Sequence, residues 1–281
     1  MIIDFRCRPP FKSFLNMRQF KATKPQHSLE SETFLTRCRE LNPSALHQSM
    51  DEFMTEMSAA GIGMSVVMPR VNDKIEADPV KNEDSLELAE KFPDRFIAFA
   101  GIDPSKSDVA DEVSRCADQG FRGISMDPGF LAMHADDPRI DPIYEVCQER
   151  HLIASVASSG LIGPDMSYCD PLSINRVSLR FPRLKIAVPH ACWPNTAGAL
   201  CAAALSRNIY LVPDSYMYTH MPLHLEIVQA ANTWLKRNVL FASSYPLQSL
   251  AQTVAEWKKL PFTQDALWNT LYYNAAELLE I

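Results

Sequence analysis

The chain has 281 residues, 47% of them hydrophobic and 22% charged, with a formal charge of −7 and 9 Gly against 20 Pro. Ordinary usage would put about 20 Gly and 14 Pro in a chain of this length, and the glycines present spell neither G-x-G-x-x-G nor G-x-x-x-x-G-K-[ST], so nucleotide binding on a glycine loop loses its support. The acidic balance speaks against nucleic acid or an anionic membrane as partner, and the apolar content speaks against disorder.

The N-terminus Met1-Ile2-Ile3-Asp4-Phe5-Arg6 opens on a short apolar run with an acid inside it, unlike a signal peptide. It reads as a first strand, 2–6. Further short runs rich in Val, Ile and Phe follow at 64–68, 96–101, 123–127, 153–157, 184–189, 209–213 and 239–243. From the second onward their starts lie about 30 residues apart, which is room for a strand, a crossover helix and two short loops. Asp78-Pro79, Asp103-Pro104, Asp137-Pro138 and Asp170-Pro171 each place an N-cap acceptor before a proline suited to the first helical turn. Eight strand-helix units without a compositional break predict one α/β domain over 1–281, a closed (β/α)8 TIM barrel. One unit is long. The segment 9–44 is an insertion after the first strand, basic and aromatic from Pro9 to Lys24, and a helix is expected at 45–60. It emerges at the face where barrel sites are built, which suggests a lid.

The seven cysteines, Cys7, Cys38, Cys116, Cys147, Cys169, Cys192 and Cys201, are scattered, odd in number and free of C-x-x-C pairs. They read as reduced thiols. With no run of 18 apolar residues, a soluble cytoplasmic protein is expected, with a homo-oligomer left open.

Barrel chemistry comes from the C-terminal ends of strands. After the first strand, Arg6 and Arg8 share a face with Asp4. Two guanidiniums at about 6–7 Å repel by roughly 2–3 kcal/mol at an effective dielectric of 20, so they call for an anion. Asp4 is one candidate, and a substrate carboxylate is the other. His190 ends the sixth strand, where neighbouring arginines would keep it neutral and fit to act as a general base. Asp127 and Asp214 end the fourth and seventh strands as candidate acids or bases, although Asp127 precedes a proline and a turn or cap role is the stronger reading there. His220 and His224 have i,i+4 spacing, but Pro222 lies between them and breaks a two-histidine metal site.

Ile2-Ile3-Asp4, Phe181-Pro182-Arg183-Leu184-Lys185-Ile186 leading to His190, Leu240-Phe241-Ala242-Ser243-Ser244-Tyr245-Pro246, and Asn274-Ala275-Ala276-Glu277-Leu278-Leu279 occur in an order that resembles the amidohydrolase superfamily. The likeness is greatest to its amidohydrolase-related branch, which includes aminocarboxymuconate-semialdehyde decarboxylase and pyrone-dicarboxylate lactonase relatives. That resemblance implies a barrel with one divalent cation held by His-x-His after the first strand, a histidine after the fifth and an aspartate after the eighth. Here those positions carry Arg6 and Arg8, Ser158, and Ser244, and only His190 matches. Arginine cannot ligate a cation, so neither metal nor other cofactor is expected. Guanidiniums in its place could hold a carboxylate or an oxyanion, with Ser158, Ser244 and Tyr245 as hydroxyl donors. The resemblance implies a hydrolase acting without metal on a lactone or related bond of a small carboxylated metabolite. Its alternatives are a decarboxylase and a catalytically inactive barrel with a binding or regulatory role.

Overall fold

A computed structural model describes residues 1–21 and 42–281. Seven strands, β1 (Ile2–Cys7), β2 (Ile62–Val67), β3 (Phe96–Gly101), β4 (Gly123–Met126), β5 (Ile153–Val156), β6 (Ile186–Pro189) and β7 (Ile209–Val212), pair in chain order, each parallel to the next. Helices separate them and cover the outside. They are α1 (Arg18–Lys21), α2 (Pro43–Leu46), α3 (Met50–Ala59), α4 (Asn82–Lys91), α5 (Val109–Asp118), α6 (Asp141–Glu149), α7 (Pro171–Arg180), α8 (Thr196–Leu205), α9 (His224–Asn232), α10 (Leu250–Lys259), α11 (Gln264–Trp268) and α12 (Asn274–Leu279). None of the described helices is long and apolar enough to cross a membrane.

The expected eighth strand, 239–243, is not a regular strand. Leu240 N–H donates to Leu211 O in β7 at 2.9 Å and Phe5 N–H donates to Phe241 O at 2.9 Å, so the segment does lie between β7 and β1 and joins the two ends of the sheet. Several amides in and just after it are diverted from a ladder. Phe241 N–H goes to Thr270 O, Ser243 N–H to the Asp4 carboxylate and Tyr245 N–H to Ser243 Oγ. Pairing is retained at the joints and lost as a repeating pattern.

Ile3, Phe5, Val66, Met68, Phe99, Ala187, Val212 and Leu240 form one buried cluster, while a larger one lies between the sheet and the helices. Strands buried on both faces explain the near-continuous apolar runs. The register shift between Asp4 and Cys7 in β1 is a local irregularity of the kind that re-aims side chains beside a site.

Of the four Asp-Pro pairs, one caps a helix: the Asp170 carboxylate accepts from Leu172 N–H at 3.0 Å at the start of α7. Asp103 and Asp137 instead accept from the amides of Ser105 and Arg139, two residues on, and their helices begin later, at Val109 and Asp141. These are turns closed by aspartate before the helix. Asp78 accepts from Asn16 Nδ2, and α4 starts at Asn82. The single helix expected at 45–60 is two, α2 and α3, broken at Gln48 where φ is +54°.

The insertion expected at 9–44 falls partly outside the described residues. Its first part is not a solvated loop. Phe14, Met17 and Phe20 are buried, and Ser13, Asn16 and the Arg18 amide are fastened to Asp84, Asp78 and Glu76.

Candidate functional site

β1, β6, β7 and the segment that follows β7 bring four of the expected residues into one hydrogen-bonded chain. Arg6 Nη1 donates to Asp214 Oδ2 at 3.1 Å and to Ser244 Oγ at 2.9 Å. Asp214 Oδ1 lies 3.0 Å from His190 Nδ1 and also accepts from the Ser215 amide at 2.6 Å. Burial by itself would raise the Asp214 carboxyl, but His190, Arg6 and the Ser215 amide outweigh it and hold its pKa at about 2. An ionised carboxylate can only accept, so His190 carries its proton on Nδ1 and keeps a lone pair on Nε2. Burial, aided by the Arg6 charge, lowers the His190 pKa against the pull of Asp214, and the ring is neutral at pH 7. This is an oriented imidazole base beside a fixed positive charge.

Backbone strain marks the same residues. His190, Asp214 and Ser244 adopt φ of +69°, +41° and +57°, in the left-handed region that favours glycine. Tyr216 meets the His190 ring edge to face and stacks on Trp193 at 4.9 Å, making an aromatic wall on that side.

Arg8 and Asp127 belong to a second group. Arg70, which sequence reasoning missed, grips Asp127 with two bonds, Nε to Oδ2 at 2.8 Å and Nη2 to Oδ1 at 3.2 Å. Burial raises Asp127, but Arg70, followed by Arg8 and Arg6, pulls its pKa far below the ordinary carboxylate range. Of the expected turn or cap role the turn is present, since the Asp127 carbonyl accepts from Phe130 N–H at 3.2 Å at the start of the turn at 128–131, but its side chain forms no cap bond. Arg8 is 1% exposed and donates Nε to Met68 O at 2.9 Å, with no carboxylate at ion-pair distance among the described residues. Desolvation and the charges of Arg6 and Arg70 press its pKa down, and Asp127 and Glu76 compensate less. A guanidinium keeps its proton regardless, so this charge is buried and under-compensated.

Two expectations need correction. Asp4 does not neutralise an arginine side chain: its carboxylate accepts from Ser243 Oγ, the Ser243 amide and the Arg6 amide, and burial lifts its pKa to about 6. Tyr245 lies away from the Arg6 chain, packed against Phe20 and Phe53, with its hydroxyl 2.7 Å from Ser44 Oγ. Ser158 is buried, near enough to Cys192 to favour its thiolate against the desolvation that raises its pKa. His224 begins α9 and His220 precedes it, so helical i,i+4 geometry does not arise.

Arg70 carried a readable signal, since Met68-Pro69-Arg70 follows the second strand as Arg6 and Arg8 follow the first. Glu76, Arg18 and Phe130 lie in loops and the insertion, where no periodic pattern flags them. A wide cleft of about 900 Å³, lined by Met1, Asn232, Trp268 and Tyr272 among others, opens at the opposite end of the barrel. Size alone does not make it the site, because the strained backbone and the buried charges are at the strand C-termini.

The fold and this mouth define an α/β barrel of the amidohydrolase type. The chain belongs to the amidohydrolase family, whose Amidohydro_2 model matches residues 37–281. Among solved structures it is similar to the uncharacterized TIM-barrel protein Bb4693 from Bordetella bronchiseptica, at 32% identity and TM-score 0.90, covering 99% of this chain and 98% of that one. It shares the fold of 5-carboxyvanillate decarboxylase from Sphingomonas paucimobilis, at 17% identity and TM-score 0.68 over 100% and 99% of the two chains. It also shares that of 4-oxalomesaconate hydratase from Rhodopseudomonas palustris, at 17% identity and TM-score 0.64 over 100% and 96%. No curated protein matches the chain.

The superfamily resemblance implies a divalent cation at the mouth. The residues present do not fit one. The Arg6 guanidinium fills the space between Asp214 and Ser244, and no group of three His, Cys, Asp or Glu side chains converges among the described residues.

Proposed function

We propose that the protein is a hydrolase that opens a lactone or related bond of a small carboxylated metabolite without a resident metal. The observation that carries this reading is Asp214 bridging His190 Nδ1 at 3.0 Å and Arg6 Nη1 at 3.1 Å, which gives a general base and an electrophile a common anchor. In this reading Arg8 receives the substrate carboxylate. His190 Nε2 takes a proton from water as the water oxygen attacks the ring carbonyl, and Arg6 stabilises the oxyanion that forms. Collapse breaks the carbon–oxygen bond, and protonated His190 returns its proton to the leaving oxygen. Asp127 serves as the counter-ion that holds Arg70 rather than as an acid or base, and Ser244 fixes Arg6.

A panel of carboxylated lactones, assayed by acid release with and without a chelator, tests this. Hydrolysis should survive the chelator and fall by about 10²–10⁴-fold in His190→Ala, the usual worth of a positioned general base. Activity abolished by chelation and restored by added zinc or manganese would overturn it.

Decarboxylation is the second reading, favoured by the fold shared with 5-carboxyvanillate and 2,6-dihydroxybenzoate decarboxylases. Carbon dioxide release from aromatic carboxylates, with no turnover of lactones, would select it. Specific binding with no turnover of either panel would select the inactive barrel.

A further inference from the structure

A buried carboxylate sits among the arginines without joining the hydrogen-bonded chain of Arg6, Asp214 and His190. Glu76 is 2% exposed, and its Oε2 accepts from the Arg18 amide at 2.9 Å. Its Oε1 lies 3.5 Å from Arg70 Nη1 and 3.8 Å from Arg18 Nε. Both ionic distances exceed the 2.7–2.9 Å of a close charge-assisted pair. Glu76 is therefore shared loosely by two guanidiniums, whereas Asp127 is locked to one. Arg18 and Arg70 are further tied by Phe130, whose ring centroid lies 5.1 Å and 5.3 Å from their guanidinium carbons. Arg18 belongs to α1 in the insertion after β1, and its side chain is half exposed. The Arg8 guanidinium reaches the same loop, its Nε donating to Met68 O at 2.9 Å two residues before Arg70, so the charges of Glu76 and Asp127 bear on it from there.

We propose that Glu76 is a positioning residue that holds down the anion affinity of Arg8, and that Arg18 is the insertion's contribution to the site, tempering Glu76 by sharing its charge. This rests on the reading of Arg8 as the carboxylate receptor. It predicts signs that a purely structural role would not. Neutralising Glu76 removes negative charge near the receptor and tightens anion binding. Removing Arg18 leaves Glu76 less compensated and weakens it.

Calorimetric titration of the intact protein with benzoate tests the proposal. Glu76→Gln should bind benzoate about three- to tenfold more tightly than wild type, and Arg18→Ala about threefold more weakly, as expected for one charge acting through a partly screened interior. Both differences should shrink as salt rises. A Glu76→Gln protein that melts lower and binds benzoate no better would overturn the proposal. Should that variant fail to fold, the half-exposed Arg18→Ala keeps the test open, and wild-type affinity in it counts against the proposal. Arg8→Met separates the two levels of the argument. Loss of benzoate binding there, with no change in Glu76→Gln and Arg18→Ala, sinks this inference alone. Unchanged binding in Arg8→Met, or none in wild type, sinks the receptor reading beneath it.

Discussion

His190, Asp214 and Ser244 each occupy backbone that costs an L-residue on the order of 1–3 kcal/mol, and each carries a side chain that the hydrogen-bonded chain at the mouth uses. Glycine would relieve the strain and lose the chemistry. Gln48 supplies the contrast, with φ at +54° and an exposed side chain between α2 and α3. Gln48→Gly should stabilise the protein by about 0.5–1 kcal/mol in urea unfolding and leave ligand binding unchanged; a destabilised variant would show that the strain there is not the governing term. Arg70 behaves oppositely. Arg70→Ala should cost about 3–5 kcal/mol, because it strands the Asp127 carboxylate in a dry site. Denaturant midpoints settle this, and a loss under 1 kcal/mol would mean that water reaches Asp127.

Among the elements, capping separates helices that look alike in sequence. Asp170 accepts from Leu172 N–H with Pro171 in the first turn, so Asp170→Ala should cost about 1 kcal/mol. A thermal melt indistinguishable from wild type would deny the cap. Asp103-Pro104 and Asp137-Pro138 present the same dipeptide but close turns ahead of their helices, because the loops leaving β3 and β4 need additional residues before α5 and α6 can begin. A two-residue motif reports that the chain turns, not how long the loop is. The segment at 239–243 teaches the same lesson. Its apolar run was legible and its position between β7 and β1 followed, but its amides are claimed by Asp4 and Thr270, which no local pattern announces.

Across the whole molecule, the carboxylates of the barrel respond to pH in opposite directions. Asp4, fully buried, is raised to about 6, so its contribution is present below its unfolded pKa near 4 and lost as pH rises through 6. That loss is on the order of 3 kcal/mol for a shift of this size. Asp214, held at about 2, contributes stability present above about 4 and lost as pH falls through 2, and Asp127 acts in the same sense at still lower pH. Asp4→Asn keeps an acceptor for the Ser243 amide and removes the titration. The stability difference between wild type and Asp4→Asn should therefore change between pH 4 and 7, moving against wild type as pH rises. A difference that stays flat over that range would mean that Asp4 titrates normally.

Barrel class, the succession of units and the strand ends that would carry chemistry were determined by the sequence itself, because periodicity, turn residues and chain order are local properties. Arg6, His190 and Asp214 could be named for that reason, and Ser244 through the family resemblance. Which charges meet was decided only by the tertiary structure. Arg6 finds Asp214 across 208 residues rather than Asp4 two residues away, and Asp127 finds Arg70 across 57. A buried ion pair forms wherever closure of the sheet brings opposite charges together out of water, and sequence distance does not enter that energy. The same closure turned Tyr245 toward the helices and Ser244 toward Arg6, one residue apart in the chain and on different sides of the fold.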